Sequence, residues 1–446
     1  MRSLILFNYD WDAAAFEALS DRYPHDCAGF DLFSFPSNAQ LIRFDLERFI
    51  DQLARTASRR NWRAALSNHE QFGALAAALL AERMGWPGTP VQAILACQHK
   101  LYAREVMAQV CPDVNVNFAP LDVEFGGEVP KGLAYPLFIK PVKAAFSVLA
   151  RRIDSEAALF AHTRFSAWER WVIRRLVEPF ERIARQRLPG SSSAHRLLIE
   201  ECVSAAQYNL DGYVYNGAVH EIGFVDAVMY PGTQAFMRFE TPSRLSPPVR
   251  TRALHAATRF LNAIGFNHGL FNMEFLYDEA SDRMAIIEFN PRFASQFGDL
   301  YRRVTGIDAH EIALALAHGR DPATLPRHAT SAGAAASVVY RAFPGETLPA
   351  MPDKLRIARF KALFPDALLL QFPKRAGQIQ RDFKWLGSYR YGIVHLGGGS
   401  AGELRERCEQ TSEILGWSSL QRGYHLLPIT TPNRPDCVPV VAARAQ

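Results

Sequence analysis

Two short runs of the sequence place acidic and amide side chains where they could share one site. The run 271–275 contains Glu274, and the run 286–292 contains Glu288, Asn290 and Arg292. Both runs alternate apolar and polar residues as strands do, so each would direct an acid from the same face. Divalent cations such as Mg²⁺ prefer oxygen ligands and usually keep substrate phosphates among them. The pattern therefore predicts a nucleotide-bound metal site, with Arg292 beyond it as a fixed cation for a phosphoryl group in transfer.

The same alternation has a second interpretation. An antiparallel hairpin with one face in solvent shows the same pattern, and its two acids would then only contact water. Two lysines elsewhere are candidates for neutralising phosphate oxygens as point charges. Lys100 lies in a helical pattern over 91–110, and Lys140 ends a strand-like run before a proline that keeps it extended. A single lysine more commonly faces solvent, so the residues taken singly leave both interpretations open.

Composition places the chain among ordinary globular proteins. Its 446 residues are 48% hydrophobic and 21% charged, enough for about two to four domains at roughly 150 residues each. The net charge of +5 favours anionic ligands only weakly and gives no argument for nucleic acid as a partner. The six cysteines form no C-x-x-C pair, which disfavours a disulfide framework and a structural zinc site. Neither a signal peptide nor a membrane-spanning run is found, so a cytoplasmic protein without a membrane partner is expected.

The elements that must position these residues fall into three parts. In the first part, buried strand patterns alternate with amphipathic helices, which predicts a parallel sheet, although no G-x-G-x-x-G follows the first strand. A proline- and glycine-rich run at 85–90 ends this part. The second part turns to strands with an intervening helix, as in an antiparallel sheet of an α+β domain. The third part opens near Gly333 with strands and a helix, and the tail from Pro428 is predicted to be mobile.

Taken in chain order, these features resemble the ATP-grasp superfamily over residues 4–415. The resemblance rests on the helix around Lys100, the strand that ends in Lys140, the hinge-like segment 200–203, and the two acidic runs. It implies a pre-ATP-grasp α/β domain with a parallel sheet, an ATP-grasp domain with a mobile lid, and a C-terminal α+β region. The domain limits it implies are 1–90, 91–330 with the lid at about 125–203, 331–427, and a mobile tail at 428–446.

The resemblance also implies roles for the metal-binding and catalytic residues. Glu274, Glu288 and Asn290 would hold one or two Mg²⁺ or Mn²⁺ ions. Arg292 would stabilise the γ-phosphoryl group and the acyl phosphate made from it, and Lys140 would share the catalytic role by binding phosphate.

A larger set is implied to bind ATP. Its members are Lys100, Lys140, Lys143, Ser147, Glu200, Glu201, Cys202, Val203 and Gln207. Two departures from the family pattern stand out. The loop after the Lys140 strand has no glycine, although glycine lets backbone amides approach phosphates, so Lys143 and Ser147 would substitute for it. Gln207 stands where relatives often place a ribose-binding glutamate.

Within the superfamily, the chain is most similar to carboxylate-amine ligases of the amino-acid ligase type. The resemblance implies that ATP phosphorylates a carboxylate, and that an amine then displaces phosphate to form an amide or peptide bond. Small-molecule carboxylates and amines would be the partners, with a homodimer as one option for assembly. Two alternatives remain: a biotin carboxylase-like enzyme that activates bicarbonate, and an ATP-binding module without turnover, which the glycine-free loop favours.

Three residues are candidates for contacting the substrates. Arg238 lies in the segment 229–240, which would cover the acceptor pocket if it is a loop, and Arg238 would then pair with a carboxylate. A surface hairpin with an ion-paired arginine is the other interpretation. His268 precedes the first acidic run and is a candidate base for the amine, although a core or surface histidine without a catalytic role is the more common case. Ser295 follows Arg292 and would line the same cavity.

Overall fold

A computed structural model of the chain describes residues 2–32, 37–124, 131–144 and 149–417. Ser147 and the predicted mobile tail lie outside these residues. In the first part of the chain, three parallel strands form a sheet in the order β2-β1-β3. The elements are β1 (Arg2–Leu6), α1 (Asp10–Glu17), β2 (His25–Ala28), α2 (Leu46–Arg60), β3 (Trp62–Leu66), α3 (Gly73–Met84), α4 (Val91–Gln98) and α5 (Lys100–Val110).

Local signals explain where these helices begin and end. The Asp45 side chain accepts the Arg48 backbone N–H and starts α2, and Asn61 ends it in the left-handed region with φ 56°. Gly85 ends α3 in the same conformation, with φ 66°. The helical pattern predicted over 91–110 is two helices, separated at His99. This break places Lys100 at the first turn of α5.

The second part opens with a four-stranded antiparallel sheet in the order β4-β7-β5-β6. Its elements are β4 (Phe118–Glu124), β5 (Leu137–Pro141), β6 (Arg151–Ile153), α6 (Glu156–Thr163), α7 (Ala167–Arg187) and β7 (Arg196–Glu200). The helices α6 and α7 are separate, because Ser166 starts α7 with a capping box that includes Glu169. This sheet and its helices occupy the region predicted as the lid.

An eight-stranded antiparallel sheet forms the centre of the molecule, in the order β12-β11-β8-β9-β10-β13-β15-β14. Its first group of elements is β8 (Ala206–Tyr215), β9 (Ala218–Met229), β10 (Phe236–Thr241), α8 (Pro247–Ala263), β11 (Gly269–Asp278), β12 (Arg283–Asn290), α9 (Gly298–Thr305) and α10 (Ala309–Ala317). The second group is β13 (Ala334–Ala342), α11 (Lys354–Leu363), β14 (Leu368–Gln371), α12 (Ala376–Leu386), β15 (Tyr389–Gly398) and α13 (Ala401–Leu415).

The C-terminal strands continue the central sheet, because β13 pairs with β10. The chain thus combines an α/β part with a parallel sheet and α+β parts with antiparallel sheets, and the predicted fold class is confirmed. The domain limits and the mobility of the lid stay predictions. No helix in the described part of the chain has both the length and the apolar character needed to cross a membrane.

Candidate active site

The hairpin of β11 and β12 places the predicted metal-binding side chains on one face. Its register pairs Glu274 with Glu288 and Asn272 with Asn290. Met273, between the two polar residues of β11, is fully buried on the opposite face in the main hydrophobic core. Side chains alternate along a strand, so the core-facing residues hold the acids on the other side of the sheet. Because this register is strongly specified by burial, Glu274, Glu288 and Asn290 are brought together.

The amide of Asn290 lies between two carboxylates, and one of them was not anticipated. In the orientation that satisfies its donors, the amide nitrogen lies 3.1 and 3.2 Å from the two oxygens of Glu70. The amide oxygen then faces Glu274, with 3.4 Å between that atom and Glu274 Oε1. Two oxygens so close need a proton or a cation between them. The donor set therefore fits a hard cation such as Mg²⁺.

Gln207 orients one of these carboxylates. It lies on β8, next to β11, and its amide nitrogen donates to Glu274 Oε2 at 2.9 Å. The residue predicted to contact a ribose thus contacts a predicted metal ligand. The amide fixes the orientation of this carboxylate, as hydrogen bonds to the ligands of bound metals commonly do.

Lys100 approaches the cluster from the first turn of α5. His99 accepts the Tyr102 backbone N–H through Nδ1, and its Nε2 lies 2.9 Å from the carbonyl oxygen of Ser192, which fixes the ring at the helix start. Lys100 Nζ lies 2.9 Å from Glu288 Oε2 and donates to the Ala144 carbonyl oxygen at 3.0 Å. The break between α4 and α5 therefore directs this cation at Glu288.

The two hairpin carboxylates have opposite electrostatic environments. Burial, followed by the negative charge of Glu288, raises the pKa of Glu274 above its ordinary value. Burial also opposes the charged form of Glu288, but the positive charges of Lys100 and Lys140 outweigh it and lower the pKa of Glu288. The site therefore holds Glu288 ionised beside two cations while Glu274 resists ionisation.

A buried ion-pair network joins the lid sheet to the rest of the site. Glu200, at the end of β7 and 5% exposed, accepts from Arg104 Nε at 2.6 Å and lies 2.8 Å from Lys140 Nζ. Lys140 also donates to the Ile287 carbonyl oxygen at 3.2 Å. Burial lowers the pKa of Lys140 to about 8. Two cations thus contact the Glu200 carboxylate, which argues against a contact between this side chain and adenine.

Replacing Arg104 with methionine is expected to destabilise the protein by about 3–5 kcal/mol. The guanidinium is 1% exposed and also donates to the Ile286 and Ile287 carbonyl oxygens, at 2.7 and 2.9 Å. Its removal leaves buried acceptors without a partner, which costs several kcal/mol. Urea unfolding followed by circular dichroism measures the loss.

The matched control for this stability prediction is Arg259→Met. Arg259 is paired with Asp113 at 2.9 Å, and both side chains are largely exposed. An exposed pair contributes about 0–1 kcal/mol. If Arg104→Met cost no more than this control, the network would not be a source of stability.

Lys143 is the most unusual cation of the site. Its ammonium nitrogen is buried and has no hydrogen-bond partner among the described residues, and it lies 5.1 Å from the centre of the Phe180 ring. Burial lowers the pKa of Lys143 to about 7. A buried ammonium group without a hydrogen-bond acceptor is poorly satisfied. Such a group would gain from an anion.

The segment after β7 is anchored on both sides of the predicted hinge. The Glu201 backbone N–H donates to the Asn117 carbonyl oxygen at 2.9 Å, and its carboxylate lies 2.7 Å from Arg283 Nη1. Cys202 and Val203 follow and are partly buried. The backbone of these two residues is the remaining candidate for an adenine contact.

Arg292 is held by a residue that the sequence did not point to. Its Nη2 donates to Glu70 Oε2 at 2.7 Å, and Glu70 is 3% exposed. The helix α3 begins three residues later, at Gly73. Glu70 therefore lies just beyond the carboxyl end of β3, where open parallel sheets bind ligands. That position is the signal that could have identified it.

Residues 133–299 match the family model of the ATP-grasp domain. The chain contains an ATP-grasp domain. This match spans most of the predicted lid and the β11–β12 hairpin with its cluster of acids. No curated protein sequence matches the chain.

Solved structures with the ATP-grasp fold match most of the chain. An L-amino acid ligase from Bacillus licheniformis has a TM-score of 0.64 at 16% identity, over 93% of this chain and 97% of that one. A carboxyaminoimidazole ribonucleotide synthase from Aspergillus clavatus, complexed with ATP, has 0.64 at 15%, over 93% and 98%. A biotin carboxylase from Campylobacter jejuni has 0.58 at 15%, over 93% and 91%. At these identities the likeness extends to the fold.

One predicted substrate residue, Arg238, lies away from the cluster of Glu274, Glu288, Asn290 and Arg292. Arg238 is on β10, a strand where a loop was considered, and it donates to Glu240 at 2.6 Å. The neighbouring Phe239 packs against Phe297, on the side of the central sheet that also carries the acids. Because successive side chains alternate, Arg238 points to the other side. The structure therefore favours the ion-paired interpretation of Arg238.

His268 lies near Arg292 of this cluster, and Ser295 follows Arg292 in the chain by three residues. His268 precedes β11 and lines a cavity of about 60 Å³ together with Asn68 and Arg292. Its ring lies edge-on to Tyr215, with 5.2 Å between ring centres. The Ser295 hydroxyl is buried and has no hydrogen-bond partner among the described residues. Both stay candidates for contacting a substrate.

Proposed function

We propose that this chain is an ATP-dependent ligase that couples a carboxylate to an amine. A carboxylate oxygen attacks the γ-phosphorus of ATP, ADP leaves, and an acyl phosphate forms. The amine then attacks the acyl carbon and loses a proton while phosphate departs, which leaves an amide or peptide bond. The carboxylate needs this activation because phosphate is a far better leaving group than oxide.

One observation carries the proposal most strongly. The acids Glu274 and Glu288, the amide of Asn290 and the cations Lys100 and Arg292 converge on one side of the hairpin. Oxygen ligands beside cations are what a magnesium-bound triphosphate requires, because catalysis of phosphoryl transfer rests on positioning and charge stabilisation. The similarity to ligase folds supports the same proposal.

The proposal gives each group a role. Glu274, Glu288 and Asn290 would hold Mg²⁺, which would supply positive charge to offset that of the phosphate groups. Lys100 and Lys143 would neutralise the triphosphate, as would Lys140, whose charge also offsets that of Glu200. Ser147, predicted to share this role, lies outside the described residues.

Phosphate release from ATP tests the proposal directly. The protein is incubated with ATP·Mg²⁺ and a panel of carboxylates and amines, each alone and in combination. Release that requires one carboxylate and one amine, with an amide product of the expected mass, supports ligation. Release that requires bicarbonate and biotin would instead support a carboxylase, and ATP binding without release would support a module without turnover.

The affinity for ATP is expected to fall as the pH rises through 7. Burial lowers the pKa of Lys143 to about 7, so its ammonium form is lost above that pH in the free protein, whereas the triphosphate favours that form. Binding must then take up a proton. Titration calorimetry with a non-hydrolysable ATP analogue and Mg²⁺, between pH 6 and about 9, measures the slope, which is at most tenfold per pH unit for one proton.

Lys143→Arg is the matched variant for this pH dependence. Its guanidinium stays charged across the range, so the contribution of Lys143 to the slope should disappear. Titration of the nucleotide and of Lys140 is common to both proteins and cancels in the comparison. Identical slopes in the two proteins would show that Lys143 takes no part in binding the triphosphate.

A further inference from the structure

Two arginines without acidic partners lie side by side on the central sheet. Arg341 on β13 pairs across the strands with Arg390 on β15. Neither makes an ion pair with any acid in the described part of the chain. Like charges directly opposite each other destabilise a sheet. An anion between the two guanidinium groups would offset this repulsion.

The groups around the pair are neutral or apolar. Arg341 donates to the Phe236 carbonyl oxygen at 3.1 Å and to the Ser388 hydroxyl at 3.0 Å. The Arg390 guanidinium carbon lies 4.5 Å from the centre of the Phe372 ring. These contacts hold both guanidinium groups in place without cancelling their charge.

The electrostatics of the pair agree with this arrangement. Burial, followed by the charge of Arg390, lowers the pKa of Arg341 to about 10. Burial also lowers the pKa of Arg390. Asp382 is the acid that acts on both, but it lies 2.7 Å from Lys374 Nζ, which already satisfies it. Burial therefore disfavours the charged form of both guanidinium groups, and neither has a carboxylate of its own to offset this effect.

A third donor lies beside the arginines. The Arg390 guanidinium carbon lies 6.0 Å from the Trp11 ring, and the indole Nε1–H is buried with no hydrogen-bond partner among the described residues. Indole nitrogen and guanidinium groups only donate hydrogen bonds. A ligand group that fits all three must therefore be an acceptor, and its best form is an anion.

The three donors are connected to the proposed catalytic cluster. Tyr9 packs against Trp11 with 5.4 Å between ring centres. Tyr9 lies near both Arg390 and Arg292. A substrate whose reacting carboxylate is near Arg292 could therefore extend past Tyr9 toward the arginine pair.

We propose that Arg341, Arg390 and Trp11 form an anion subsite that binds a second acidic group of a substrate. The inference rests on the proposed ligase function and names the substrate class: one of the two substrates carries a carboxylate or phosphate group besides the atoms that react. Arg341 and Arg390 are thus specificity-determining residues.

Binding of simple anions tests the subsite without any turnover. Calorimetry measures the binding of succinate and inorganic phosphate to the full chain, with succinamide as the uncharged probe. Arg390→Gln and Arg341→Gln are each expected to weaken anion binding by about 10-fold or more, as expected for a lost hydrogen-bonded charge pair. Arg390→Lys should retain part of the anion affinity. Comparing the affinities for succinate and for phosphate shows whether the subsite prefers a carboxylate or a phosphate.

Arg359→Gln is the matched control for the subsite. Arg359 is exposed on α11 and makes none of the contacts that define the pair. Anion binding that is unaffected by Arg390→Gln and Arg341→Gln, or that is absent from the wild type, would overturn the subsite.

Turnover then separates the subsite from the ligase proposal. Substrates are offered as matched pairs, such as glutamate with glutamine and phosphoserine with serine. The acidic member should give the higher kcat/KM by about 10-fold or more, and Arg390→Gln should remove this preference by raising KM for the acid alone. Equal use of both members overturns the subsite and leaves ligation intact. Anion binding without phosphate release from any pair contradicts the ligase proposal and leaves the subsite intact.

Discussion

Glu288→Gln is expected to lower the rate of ATP turnover by about 1,000-fold or more. The amide is nearly the same size as the carboxylate, but it removes a charge that Lys100 contacts at 2.9 Å and that the metal would share. Charge stabilisation by a bound metal contributes several kcal/mol to a transition state, and each ~1.4 kcal/mol corresponds to a factor of ten. Phosphate release at saturating ATP and Mg²⁺ measures the change.

The fold of this variant should be preserved. Glu288→Gln leaves Lys100 without its carboxylate, which destabilises, but it also removes the charge that raises the pKa of Glu274, which stabilises. These effects oppose each other, so the melting temperature should change by only a few degrees. Full activity with unchanged melting would refute the assignment of Glu288 as a metal ligand.

Glu279→Gln is the control in the same hairpin. Glu279 is exposed in the turn between β11 and β12, away from the paired acids. The same change of charge there should leave turnover within about twofold, because exposed substitutions rarely alter stability or positioning by more than ~0.5 kcal/mol. A comparable loss in both variants would point to net charge as the cause.

The hairpin was predictable because its signal is local. Alternation with period two fixes which residues share a face, and burial of Met273 and Phe289 fixes the register that pairs Glu274 with Glu288. Each of these rules depends on a few consecutive residues. The sequence therefore predicted which side chains share this face, although it could not measure the distances between them.

Glu70 was not predictable in the same way. It lies more than 200 residues from Arg292 in the chain, and their contact depends on how the first sheet packs against the central one. The same applies to the continuation of the central sheet by β13, which pairs with the distant β10. Alternation cannot identify a partner strand. Arg238 shows the same problem, because the side of the sheet it occupies follows from the pairing of β10.

Arg292→Lys is expected to lower the rate of turnover by about 100-fold or more. The guanidinium donates to Glu70 at 2.7 Å through one nitrogen and to the Phe293 carbonyl oxygen through the other, which fixes its plane beside the proposed metal ligands. Lysine keeps the charge but not this fixed geometry, and misplaced charge loses most of its effect on a transition state. The rate should fall at saturating ATP, with KM for ATP changed little, since other cations bind the triphosphate.

Glu70→Gln tests whether Glu70 acts through Arg292. An amide can still accept one hydrogen bond, so a smaller loss of kcat, about 10-fold, is expected with KM for ATP nearly unchanged. If Glu70 only positions Arg292, the double variant Glu70→Gln with Arg292→Lys should be no slower than Arg292→Lys alone, because the effects of two residues that share one role are not additive.

Arg244→Lys is the matched control for the change from arginine to lysine, since Arg244 also pairs with a buried acid, Asp226, at 3.0 Å. Strictly multiplicative losses in the double variant would show that Glu70 has a role independent of Arg292.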